Sequence, residues 1–145
     1  MPIDDEHFRK LERMYHGAPI NRYFQPTLRV SNGTAELQMP VKRELFHAAH
    51  ALHGCAYFKA LDDAAFFAVN SLVTDVFVLT ASYNIYLTRP VTEGILRASG
   101  RVVHSSRKLF LAEAELFDGE QRLVARGNGS FMRSTIALTP QVGYA

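Results

Sequence analysis

Apolar and polar positions repeat along this chain with two different periods, and the places where the period changes mark its elements. From Asp4 to Tyr15, the acids Asp4, Asp5 and Glu6 precede Phe8, Leu11, Met14 and Tyr15 at spacings of three and four. That order predicts a short amphipathic helix, ended by Gly17 and Pro19. Thr27 to Ser31 and Thr34 to Pro40 flank Asn32-Gly33, a strong two-residue turn signal, so a hairpin is expected there. A loop should follow to about Leu52. His53 to about Ser71 carries Cys55, Phe58, Leu61, Ala65, Phe66 and Val69, five alanines and no glycine after Gly54. This reads as a long helix, apolar around most of its girth and therefore buried. From Phe77 to Thr88 the odd positions Phe77, Leu79, Ala81, Tyr83, Ile85 and Leu87 are apolar, which predicts a strand with that face packed. Further strands are expected at Ile95 to His104, Leu109 to Phe117 and Arg122 to Met132, joined by Ser105-Ser106-Arg107 and by the Asp118-Gly119 turn. After Ser134 no period is legible.

Short helix, hairpin, long buried helix and four successive strands predict an α+β fold in which one helix lies across an antiparallel sheet. Such a sheet leaves edges, so edge-to-edge pairing with a second copy is expected. The 145 residues suit a single domain spanning 1–145. Apolar residues at 48% and charged residues at 21% fit an ordinary globular chain and not a disordered one. The net charge of +2 comes from 16 basic and 14 acidic residues with no Lys/Arg run, which argues against nucleic acid as a partner. Cys55 is the only cysteine, so no internal disulfide forms and a reducing compartment is expected. The acidic, polar start and the lack of any stretch of ~18 apolar residues point to the cytoplasm, with no export signal and no membrane span.

The segment Leu52-His-Gly-Cys-Ala-Tyr-Phe-Lys-Ala-Leu-Asp-Asp-Ala-Ala resembles the stretch that opens the central helix in phenylacetate-degradation-type acyl-CoA thioesterases of the hotdog superfamily. The resemblance continues through Ser82-Tyr-Asn-Ile-Tyr-Leu-Thr-Arg-Pro-Val, the Gly94 turn, Ser99-Gly-Arg-Val-Val-His and Asp118-Gly, covering about Val30 to Met132. It implies a hotdog fold, in which the sheet wraps one long central helix, and hydrolysis of an acyl- or aryl-CoA thioester to free acid and CoA. No metal or organic cofactor is implied. It also implies a homodimer or a dimer of dimers, with the site at the interface. By the same resemblance the carboxylate nine residues after His53 acts as base or nucleophile, which is Asp62. The backbone N–H after that His, on Gly54, polarises the thioester carbonyl, and Thr80, ten residues before Pro90, assists. The chain departs from the family pattern twice: Cys55 stands where a second Gly is usual, and His47 where an Asn or Gln six residues before the His positions water.

Each of these residues has a structural reading beside the chemical one. Asp62 and Asp63 point about 100° apart on a helix. Asp63 shares its face with Lys59, the pattern of a solvated ion pair. Asp62 sits among Cys55, Phe58, Phe66 and Val69, where desolvation raises its pKa toward that of a general base; the alternative is a cap on a partner's backbone. Gly54 either presents an oxyanion donor at a helix start or merely permits the turn. His47, His50 and His53, spaced by three, raise a zinc site, but no further ligand completes one and no metal is expected. Cys55 reads as a small buried residue. Ser105, Ser106, Arg107 and Lys108 form either a contact for CoA phosphates or a solvated turn. Two other functions stay open: a hotdog module that binds acyl-CoA without turnover, and a dehydratase or hydratase, which needs a His and a Glu converging on the pocket.

Overall fold

The computed structural model describes residues 3–145. Helix α1 (Asp5–Gly17) begins where Asp4 accepts a hydrogen bond from the His7 N–H at 3.2 Å, with Asp5 and Glu6 in its first turn. It buries Phe8, Leu11, Met14 and Tyr15, the stripe read from the sequence. A further short helix, α2 (Ile20–Phe24), follows where the sequence offered only breakers, because Pro19 is compatible with a helix start. Strands β1 (Thr27–Ser31) and β2 (Thr34–Pro40) pair through the Asn32-Gly33 turn, where Gly33 has φ +74. The loop before the long helix holds one 3₁₀ turn, Arg43–Leu45.

Helix α3 (Gly54–Asn70) crosses one face of the sheet formed by β1, β2, β3 (Val76–Leu87), β4 (Ile95–Ser105), β5 (Phe110–Phe117) and β6 (Leu123–Ala137). All neighbours are antiparallel, in the order β1-β2-β4-β5-β6-β3. Ala56, Ala60, Ala64, Ala65 and Ala68 are buried, so the helix backbone lies close on the strands. The contact is tightest at Gly100 of β4, where a Cβ would sit 2.4 Å from the carbonyl of Ala64. The buried side chains form one contiguous core to which α1, α3 and all six strands contribute. This is the hotdog arrangement that the sequence resemblance implies. No helix among the described residues is long and apolar enough to cross a membrane.

The two sheet edges differ. At β1, α1 satisfies the outward backbone groups of Val30: its N–H donates to Glu12 at 2.7 Å and its carbonyl accepts from Arg9 at 2.7 Å. The Leu28 N–H likewise donates to His16. That edge is covered. At β3 only the start is tied, through the buried Asn70, which accepts from the Val78 N–H and donates to the carbonyls of Val73 and Val76. Beyond it Leu79, Tyr86 and Leu87 stand 47%, 61% and 50% exposed.

Two expectations need correction. In β3 a bulge between Thr80 and Ser82 changes the phase of the strand. Val78 and Thr80 therefore face α3 before it, and Tyr83 and Ile85 after it, in place of the unbroken odd-numbered face. The last strand runs on to Ala137, and a 3₁₀ turn at Pro140–Val142 follows. Pairing with the start of β3, Val76 against Ala137, extends it, a long-range cause that leaves no local period.

Candidate active site

Asp62 lies on α3 with its side chain turned toward β3, and the Thr80 hydroxyl donates to its Oδ1 at 2.9 Å. The structure thus joins two of the expected site residues across 18 positions of sequence. Burial is the main influence on the Asp62 pKa and raises it from the ordinary carboxylate value to about 6. Thr80 and Lys59 pull against that rise, and the charge of Asp63 adds to it. A carboxylate titrating there is suited to take a proton near neutral pH.

Both residues line an apolar cavity of about 820 Å³. Its floor is aromatic, from Phe66 and Phe67 of α3 and Phe77 of β3, and its far walls come from the turn between α1 and α2 and from Pro140–Gly143 near the end of the chain. These walls leave no local signature in the sequence, because the two segments meet only through tertiary contacts. His7 of α1 ties the end of the chain to the end of α3, its ring bonded to the Tyr144 hydroxyl at 2.7 Å and to the Asn70 carbonyl at 2.9 Å.

Asp63 is not the solvated partner its spacing suggested. Its Oδ2 takes both the Lys59 ammonium at 2.6 Å and the Tyr15 hydroxyl at 2.6 Å, and the Lys59 and Asp63 side chains are only 13% and 16% exposed. Tyr15 of α1 lies over this pair, and its ring is also within 5.2 Å of the Lys59 ammonium. Burial raises the Asp63 carboxyl and the Lys59 charge opposes it. Burial first, and Asp63 second, push the Tyr15 phenol far up, so it stays a neutral donor.

Gly54 is the first residue of α3, and His53 is its N-cap, with Nδ1 accepting from the Cys55 N–H at 2.9 Å. Within the chain the His53 ring, expected among the catalytic residues, caps the helix through Nδ1. Among the described residues the Gly54 N–H has no hydrogen-bond acceptor. Gly54 is not in the left-handed region, so the turn does not need glycine for its backbone angle. A Cβ there would meet only Leu87 Cδ1, at 3.4 Å. Gly54 and Asp62 are eight residues apart on one helix, hence about 12 Å apart along its axis. One thioester carbonyl cannot touch both within one chain.

Cys55 is exposed, contrary to expectation, because it stands on the first turn of α3 facing away from the sheet, next to exposed His53. His47 is exposed in the loop before α3, and its Nδ1 accepts from the Ala49 N–H. Nδ1 of His47 and Nδ1 of His53 each accept a local backbone N–H, and no group of three His, Cys, Asp or Glu that could hold a metal occurs among the described residues. Ser105, Arg107 and Lys108 are exposed at the β4–β5 connection. Pairing places Thr80 opposite Phe131, Phe131 opposite Phe110, and Phe110 opposite Ser105. That connection is therefore at the Thr80 end of the sheet but three strands, or about 14 Å, away.

The sequence profile of the thioesterase superfamily matches residues 49–125, more than half of the chain. An esterase-named protein of Sulfurisphaera tokodaii is 30% identical over 102 residues, 70% of this chain and 75% of that one. Among solved structures, a thioesterase family protein of Silicibacter pomeroyi superposes with a TM-score of 0.81 at 26% identity, over 87% of this chain and 96% of that one. The PaaI protein from the phenylacetic acid degradation operon of E. coli superposes with a TM-score of 0.85 at 20% identity, over 95% and 100% of the two chains, a likeness of fold. The matched residues contain Gly54, Asp62 and Thr80, and the architecture is that of the superposed proteins: this chain belongs to the thioesterase superfamily and has its hotdog fold.

Proposed function

We propose that this protein hydrolyses an acyl-CoA thioester with an apolar acyl or aryl group to the free acid and CoA. The observation that carries the reading is a partly buried carboxylate, Asp62, oriented by Thr80 in the wall of an apolar cavity. The acyl group occupies that cavity, whose size is in the usual range for a small-molecule site. The carbonyl oxygen accepts from the Gly54 N–H of a second copy, since the Gly54 of the same chain lies about 12 Å away along the helix. Asp62 takes a proton from water as the water oxygen attacks the carbonyl carbon. The tetrahedral intermediate then expels CoA by breaking the C–S bond, and the proton passes to the thiolate. The exposed cations Arg107 and Lys108 suit the phosphates of the CoA arm.

Neither His nor Glu lines the cavity among the described residues, which tells against a dehydratase. A panel of acyl-CoAs, scored separately for binding and for release of free thiol, tests the reading. Thiol release that rises from acetyl to bulkier apolar acyl groups is the expected result; binding without release would make the protein an acyl-CoA-binding module. The assembly has its own test. Light scattering should give at least two chains per particle, because the β3 edge is uncovered and flanked by exposed Leu79, Tyr86 and Leu87. A monomer at micromolar concentration would contradict the shared site.

A further inference from the structure

Tyr83 occupies a place in the sheet that the rest of the fold is shaped to give it. It lies three residues after Thr80, a spacing that points two side chains to opposite faces of a regular strand. The bulge between Thr80 and Ser82 removes that difference and brings both to the α3 side. Across from Tyr83 and Ile85, β6 has Gly129 and Gly127. A Cβ on Gly129 would be 2.4 Å from Tyr83 Cδ2, and one on Gly127 would be 2.6 Å from Tyr83 Cε1. The ring thus lies over two bare stretches of backbone and meets Phe58 and Phe131 edge-on, with centroids 5.6 and 6.4 Å away. Phe58 is one helical turn before Asp62.

Its hydroxyl is buried and has no protein partner among the described residues. Buried phenols ordinarily find an acceptor, and a persistent exception calls for a cause. Burial first, and the charge of Asp62 second, hold the proton on this phenol, so it is a neutral donor, and its contact with Phe58 places the ring beside the turn of α3 that leads to Asp62. Asp62 Oδ1 is taken by Thr80, and among the described residues Oδ2 has no protein donor. We propose that Tyr83 is a positioning residue for Asp62, its Oη–H closing onto the free carboxylate oxygen when the acyl group fills the cavity, so that the base is held from both sides. Catalytic hydrogen bonds commonly tighten only in the loaded enzyme. This inference rests on the assignment of Asp62 as the base.

The direction of its effect on pH dependence follows from the groups around Asp62. From α3, Asp63 raises its pKa and Lys59 lowers it, and from β3 Thr80 lowers it. The Tyr15 hydroxyl of α1 is committed to Asp63, and the turns Gly17–Asn21 and Pro140–Gly143 bring no titratable side chain. A Tyr83 donor would favour the charged carboxylate, as Thr80 does.

Tyr83→Phe in the full chain tests this. The expected result is a fall of about tenfold in kcat/KM, borne mainly by kcat, with the acid limb of the pH profile moved to higher pH. The melting temperature should not fall, because no protein partner is lost. In an Asp62→Asn background the same change should cost nothing further, since Tyr83 acts through Asp62. Unchanged rate and pH profile in Tyr83→Phe, with Asp62→Asn inactive, overturn the inference and leave the base assignment standing. An early-melting or dissociated Tyr83→Phe with full activity per folded molecule overturns it in favour of a bond across the subunit interface. Full activity in Asp62→Asn itself overturns both.

Discussion

Asp62→Asn is expected to lower thioester turnover by about 100-fold or more while the protein stays folded, because an amide of nearly the same shape cannot take a proton from water. The Thr80 hydroxyl keeps its acceptor, since the amide oxygen replaces Oδ1. The pH profile sharpens the test. Activity of the natural protein should rise through about pH 6 as Asp62 ionises, and the variant's residual rate should lack that limb. Stability should move the other way. A carboxyl at about 6 in the folded state and 3.8 in the unfolded chain binds its proton more tightly when folded. The folded state is therefore destabilised as pH rises between those values, by about 3 kcal/mol at most, and stays so above them. Asn carries no such penalty, so the variant should melt above the natural protein at pH 8, with the difference shrinking toward pH 4. A variant equally active, or one less stable at pH 8 than at pH 4 relative to the parent, would remove Asp62 from the role of a desolvated base. Asp63→Asn supplies the contrast. It weakens the hold on the Lys59 ammonium under Tyr15, so its effect should fall first on melting temperature and only mildly on turnover.

That contrast separates what the sequence could express from what it could not. The central helix was legible because five alanines and an apolar girth leave one physical outcome, burial against the strands. The Asn32-Gly33 hairpin was legible because the turn chemistry is local. Asp62 and Thr80 were paired through the resemblance, and the fold brings them within 2.9 Å. The burial of Asp63 was not legible, because the residue that covers it, Tyr15, lies 48 positions away on another helix. The phase of β3 was misread for a related reason. A bulge is a property of two strands, and nothing in Thr80-Ala81-Ser82 alone shows that Phe131 pairs with Thr80 and Ser130 with Ser82. Read without the bulge, Thr80 and Tyr83 fall on opposite faces and Tyr83 is merely core. The segment after Ser134 looked patternless for the same kind of cause: its residues are used as a cavity wall against α1, an arrangement with no period to detect.

Gly54→Val should lower turnover by about 100-fold, the scale of losing one oxyanion donor, with little change in melting temperature. Valine keeps the backbone N–H, and the position has no positive φ that would strain it. Its Cβ meets only Leu87 Cδ1 at 3.4 Å, so the fold has room for the first carbon. What the branched side chain would obstruct is the approach of a thioester carbonyl to the N–H. A variant that melts early yet keeps its activity per folded molecule would make Gly54 a structural residue only. The two damaged chains can also be combined. If each site takes Asp62 from one chain and Gly54 from the other, a mixed dimer of Gly54→Val and Asp62→Asn chains holds one intact site and one doubly damaged site. Random mixing makes half the dimers mixed, so activity should return to about a quarter of that of the natural protein. If both groups acted within one chain, every site in the mixture would carry one lesion and no activity would return. Recovery on mixing therefore tests the 12 Å argument directly, since no single helix brings its own first N–H and its own ninth residue to the same carbonyl.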